Sequence, residues 1–81
     1  MYAKVTRDQF RLRDESIVHT PTGAEFTPVV GYGDSMLIWT ADIGRSLPDG
    51  ALYRYAEVLA MTKRLWRNGI SGLIYAGFLH V

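Results

Sequence analysis

The pattern of apolar and polar positions is clearest between Leu52 and Asn68, where it predicts an amphipathic α-helix. Asp49 is the best N-cap in the sequence, with a start nearer Arg54 as the alternative, and Gly69 suits the left-handed residue that ends a helix. The charged residues of this stretch fall elsewhere on the helical wheel. The apolar or weakly polar face, spaced by three and four residues, consists of Leu52, Tyr55, Val58, Leu59, Thr62, Leu65 and Trp66.

Ahead of this helix, short alternating or β-branched stretches predict an antiparallel meander. The strands are expected at 10–13, 17–20 and 24–27. The turn Thr20–Gly23 holds a proline and a glycine and suits a three-residue hairpin loop, and a three-residue first turn then gives one consistent core face. This register pairs Val18 with Phe26 and His19 with Glu25. The predicted core face carries Phe10, Leu12, Val18, Ala24 and Phe26, and the outer face carries Arg11, His19 and Glu25.

Two other apolar stretches predict strands that are covered on both faces. One is Met36–Thr40, and the other runs from about Leu73 to Leu79. The second strand either completes the sheet of its own chain or pairs with a neighbouring chain. The sequence therefore predicts a single α+β domain over residues 1–81, a small antiparallel β-meander of three to five strands packed on one long helix in the C-terminal half.

The composition indicates the compartment in which the domain is expected. The chain of 81 residues contains no cysteine, so it forms neither a disulfide nor a thiolate metal site, and this fits a reducing, cytoplasmic compartment. The N-terminus lacks the apolar region of a signal peptide. The most apolar run, residues 70–81, is too short to span a bilayer, so no membrane association is expected.

Charge is unevenly distributed, although the net charge is only +1. Residues 1–13 and 51–81 each carry +3, whereas residues 14–50 carry −5. The basic residues near the end of the predicted helix complement the helix dipole or offer a site for an anionic partner. The candidate anion or nucleic-acid contacts are Arg11, Arg13, Lys63, Arg64 and Arg67.

No motif in the sequence indicates catalysis. His19 and His80 are the only histidines, and their spacing fits no metal motif. The stretch Gly31–Met36 lacks the third glycine of a dinucleotide-binding loop, and Ser35 has no identifiable base. We therefore expect a protein that is not an enzyme and that holds no metal and no cofactor.

The function that the sequence favours is that of a small accessory or protein-interaction domain that self-associates, as a homodimer, or binds another protein. The alternative is nucleic-acid binding through the basic residues named above. Salt separates the two, because it weakens phosphate binding steeply and leaves apolar association intact. The predicted partner interface is the apolar C-terminal stretch, with Leu73, Ile74, Tyr75, Phe78 and Leu79.

Overall fold

The computed structural model describes residues 2–29, 31–33 and 35–68. In this part of the chain, four strands form one antiparallel sheet in the order β1-β2-β3-β4, followed by one helix. The α+β fold and the helix in the C-terminal half are therefore confirmed. The elements are a 3₁₀ turn at Arg7–Gln9, β1 at Phe10–Arg13, β2 at Ser16–His19, β3 at Ala24–Pro28, β4 at Met36–Trp39 and α1 at Tyr55–Arg67.

The hairpin register differs from the predicted one by one residue. Ile17, and not Val18, lies opposite both Leu12 and Phe26, and His19 lies opposite Ala24. The first turn has two residues instead of three, and the loop between β2 and β3 has four instead of three. Because the two differences compensate, β1 and β3 keep their predicted faces and only β2 is turned over.

This reversal of β2 corrects two of the predicted positions. His19, predicted on the outer face, is fully buried, and Val18, predicted in the core, is only half-buried. Phe10, Ala24 and Phe26 are fully buried as predicted. We call the sheet face that carries these buried side chains the inner face and the opposite one the outer face.

Helix α1 covers the inner face of the sheet. Its buried side chains are Val58, Thr62 and Leu65, at intervals of four and three, and Trp66 packs half-buried against the same core. The helix is shorter than predicted because it begins at Tyr55, with Arg54 at the N-cap position. The core cluster consists of Phe10, Ile17, Ala24, Phe26, Tyr53, Val58 and Leu65.

Asp49 caps a turn instead of the helix. Its Oδ1 accepts a hydrogen bond from the N–H of Ala51 at 3.0 Å, and the N–H of Gly50 donates to the carbonyl of Leu47 at 2.8 Å. The predicted turn at residues 47–50 is therefore present, but Asp49 is used within it. The helix end at Gly69 and the strand predicted over residues 73–79 lie outside the described residues.

Strand β4 is exposed, whereas the sequence predicted a strand covered on both faces. Leu37, Ile38 and Trp39 all exceed one third of their possible exposure, and Met36 is half-buried. Strand β4 lies at the edge of the sheet, and β3 is its only strand neighbour in the described part of the chain. The run of apolar residues resembles that of a central strand, which explains the wrong prediction.

Candidate partner-binding surface

The outer face of the sheet is a mixed surface whose apolar part lies on β4. Side chains alternate between the two faces of a strand, so the outer positions follow directly from the register. Polar and charged groups occupy most of the outer positions of β1, β2 and β3. The outer face carries Arg11, Arg13, Ser16, Val18, Glu25, Thr27, Leu37 and Trp39.

Two large apolar side chains stand next to each other on this face at the edge of the sheet. Leu37 is 68% exposed and Trp39 is 69% exposed. Large apolar side chains that lie together in solvent mark binding surfaces more often than scattered ones do, and tryptophan is enriched among the residues that anchor interfaces. The sequence analysis missed both residues because it placed them inside the protein.

The backbone of β4 is available for pairing along its free edge. The N–H of Val29 donates to the carbonyl of Ser35 at 3.0 Å. Hydrogen-bonded and non-bonded pairs alternate in an antiparallel ladder, so Leu37 and Trp39 exchange their backbone bonds with β3. The backbone groups of Met36 and Ile38 point the other way, where no other described strand lies.

This edge lacks most of the features by which proteins prevent strand addition. The four residues Met36–Trp39 include no charged residue, no proline and no glycine. The strand is short, which limits the number of hydrogen bonds that it can offer to a partner. Edge pairing in addition to the exposed side chains would supply both affinity and register.

An ion pair lies beside the apolar positions. Arg13 on β1 binds the carboxylate of Glu25 on β3 across the outer face, and both side chains are partly exposed. Together with Gly23 and Trp39 they line an open groove of about 270 Å³. The groove is smaller than most ligand pockets, so we interpret it as a depression beside Trp39 within a larger contact surface.

His19 belongs to a buried hydrogen-bond network and not to this surface. Its Nε2 lies 3.0 Å from Oε1 of Gln9, and its Nδ1 lies 2.8 Å from Oγ1 of Thr22. The Gln9 oxygen also accepts from the N–H of Thr6, and the Gln9 amide nitrogen donates to the carbonyl of Lys4, which fixes the amide orientation. Nε2 of His19 therefore carries the proton and Nδ1 accepts one from Thr22.

The surroundings of His19 favour its neutral form. The ring of Tyr53 meets the imidazole edge-on at 4.8 Å between centroids, and the ring of Phe10 lies 4.9 Å away. Burial lowers the pKa of His19 to about 4, because the charged imidazolium loses its hydration there. The pair of His19 with Glu25 that the predicted register gave is absent, since the two side chains lie on opposite faces.

The predicted basic contacts fall on two sides of the sheet. Arg11 and Arg13 lie on the outer face, and the guanidinium of Arg11 donates to the carbonyls of Asp8 and Phe10. Lys63, Arg64 and Arg67 lie on α1, which covers the inner face. The two groups therefore do not share one face of the sheet.

The helical basic group borders a second open groove. Arg64 and Arg67 line it together with Val5 and Met61, and its volume is about 330 Å³. The Nε of Arg67 donates to the carbonyl of Lys63 at 3.3 Å. Within residues 2–29, 31–33 and 35–68, neither Lys63 nor Arg64 nor Arg67 forms an ion pair with a carboxylate.

The described part of the chain contains no group of three or more side chains that could ligate a metal, and none of its helices has the length and apolar character needed to cross a membrane. The residues of the predicted interface, Leu73, Ile74, Tyr75, Phe78 and Leu79, lie outside this part.

Comparison of the chain with protein-family models, with curated proteins and with solved structures gave no significant match. We therefore infer a function from the surfaces described above.

Proposed function

We propose that this chain is a small accessory domain that acts by binding protein, that it self-associates and that it has no catalytic role. The observation that carries the proposal is the edge strand β4, which presents Leu37 and Trp39 to solvent beside backbone groups of Met36 and Ile38 that no other described strand bonds. A cytoplasmic location belongs to the same proposal, since a chain without cysteine needs no oxidising compartment.

The energetic argument for a partner is twofold. A domain of this size buries a thin core, and association is one of the usual ways in which such domains gain stability. Covering a large apolar side chain contributes roughly 1.5–3 kcal/mol. Leu37 and Trp39 are each about two-thirds exposed, so a partner that covers both side chains gains much of that free energy from each of them.

The apolar C-terminal stretch remains a second predicted source of self-association. The residues Leu73–Leu79 are apolar at most positions, and a strand of that composition would pair well with a neighbouring chain. Removing residues 71–81 tests this contribution. The dimer is lost if these residues form the interface, and it persists if β4 forms it alone.

Sedimentation equilibrium of the full chain, from low to high micromolar concentration, tests the proposed self-association directly. We expect a reversible dimer whose formation does not weaken as salt is raised. The variant Leu37→Lys should shift the protein towards monomer, because dimer formation would bury the charged lysine at the edge of the sheet. Ala60→Lys adds the same charge at an exposed helix position and should leave the dimer intact. A native chain that stays monomeric at high micromolar concentration contradicts the proposal.

A second candidate function is nucleic-acid binding by the end of α1. It is supported by the three cations Lys63, Arg64 and Arg67, which lie within two turns and have no ion-pair partner among the described residues. Against it stands the nearly balanced charge of the whole chain, which is well below that of dedicated nucleic-acid binders.

A further inference from the structure

The free edge of β4 has a pattern that fits a second copy of itself. In an antiparallel pair of identical strands related by a two-fold axis, a residue that precedes the axis by some number of positions lies opposite the residue of the other copy that follows the axis by the same number. Only residues whose backbone groups point outwards can exchange hydrogen bonds across the new ladder. In β4 these are Met36 and Ile38.

Of the registers that satisfy this condition, two place the axis at the middle residues of the strand. An axis at Leu37 places that residue opposite its own copy, and it sets each Trp39 opposite Ser35. An axis at Ile38 places Ile38 opposite its copy, and it sets each Leu37 opposite a Trp39. The second register pairs the two most exposed side chains of the strand with each other twice.

The axis at Ile38 is favoured by the pairing of side chains on the outer face. It brings both exposed apolar residues of that face together as leucine–tryptophan pairs, whereas the other register leaves each tryptophan opposite a small polar residue. Both registers cover Ile38, which is 39% exposed on the inner face.

Charge does not oppose this pairing at the strand itself. No residue of Met36–Trp39 is charged, so two copies meet without a like-charge contact between the paired strands. The nearest acidic group on the outer face of β3 is Glu25, whose carboxylate is bound to Arg13. The edge is therefore complementary to itself both in its backbone and in its side chains.

We propose that two copies of this chain join their β4 strands antiparallel about a two-fold axis at Ile38 and form one continuous eight-stranded sheet. This inference rests on the proposed self-association and names its partner and register. The resulting outer face would carry a row of four apolar side chains, Leu37 and Trp39 from each copy, across the junction.

The lack of cysteine makes the register directly measurable. A hydrogen-bonded antiparallel pair has its Cα atoms about 5.5 Å apart, within the range that a disulfide spans. We expect Ile38→Cys to form a disulfide dimer in a glutathione redox buffer, at least about tenfold more than Ala60→Cys, because the interface raises the effective thiol concentration. Leu37→Cys should cross-link no better than that control.

Each other result is decisive. Efficient cross-linking of Leu37→Cys without that of Ile38→Cys overturns the register and places the axis one residue away. A chain that sediments as a dimer but cross-links at neither position overturns β4 pairing about both axes and leaves self-association through another register or surface. A chain that sediments as a monomer overturns both this inference and the proposed self-association, and leaves the edge to the strand predicted over residues 73–79 of the same chain or to a strand of a different protein.

Discussion

At the scale of single residues, His19 has the environment that the sequence predicted least well. Its side chain joins the sheet to the N-terminal segment through Gln9 and to the hairpin loop through Thr22. In the sequence, a histidine between Val18 and a turn resembles an outward polar position of a strand. The partners that satisfy it come from ten residues earlier and three residues later, so strand alternation alone could not identify them.

The lowered pKa of His19 predicts that stability depends on pH. The folded state, in which the pKa of His19 is about 4, binds fewer protons than the unfolded state, in which the histidine has its ordinary pKa of 6.5. Stability is therefore complete above the unfolded pKa and is lost as pH falls towards the folded pKa. Linkage gives a loss of about 2 kcal/mol between pH 7 and 5, and of about 3 kcal/mol by pH 4.

Urea unfolding at a series of pH values measures this dependence. The variant His19→Gln should be less stable overall, but the fall between pH 7 and 5 should be nearly absent. His80→Ala serves as a control that leaves His19 as the only histidine and should keep the fall. An equal slope in the native protein and in His19→Gln would show that His19 does not carry the effect.

At the scale of the elements, the hairpins explain how much of the fold could be predicted. The turn residues Pro21 and Gly23 marked the second hairpin, and Gly23 does adopt a left-handed φ of 77°. The sequence could not determine how many residues each turn contains, because Ile17, Val18 and His19 can all occupy a strand in either orientation. The choice is made by burial of Ile17 and by the partners of His19.

The two-residue turn of the first hairpin places Asp14 at a φ of 53°, a region that β-branched residues resist. We expect Asp14→Val to lower the free energy of unfolding by roughly 1–2 kcal/mol. Asp14→Gly, which adopts this conformation freely, should be neutral or mildly stabilising. Equal urea midpoints for the two variants would contradict the two-residue turn and favour the longer one.

The same limit applies to the candidate surface on β4. Apolar residues at successive positions indicate a strand, but they do not reveal whether other elements cover it. Met36–Trp39 was correctly predicted as a strand, and its position at the edge of the sheet became visible only when the topology was known. The candidate anchors Leu37 and Trp39 were therefore missed for a reason of tertiary structure.

At the scale of the whole molecule, the distribution of charge allows the alternative function to be tested. If α1 binds phosphate, Lys63→Glu with Arg67→Glu should abolish retention on a nucleic-acid column at low salt while the fold remains intact. Lys4→Glu with Arg45→Glu makes the same change in net charge at exposed positions outside the helix. These control changes should reduce retention only partly. A native chain that is not retained at low salt removes the alternative.

The strand order also implies an order of local opening. Each strand pairs with the strand that follows it in the chain, so β2 is bonded on both sides, whereas β4 is bonded on one side and has no buried residue. In amide hydrogen exchange we expect the slowest rates at Ile17 and His19. The amides of Leu37 and Trp39, although bonded to β3, should exchange faster through detachment of β4 alone.

Hydrogen exchange at the amide of Ile38 then reports whether a partner covers the free edge of β4. In the free chain no other described strand bonds this amide, so it should exchange within the time of mixing. Dilution from high to low micromolar concentration should therefore expose it if a second copy had been covering it, while the rates within β2 stay constant. The strand that detaches most easily from the sheet would thus be the one that a partner holds in place. Folding of the edge of the sheet would then be coupled to binding of the partner.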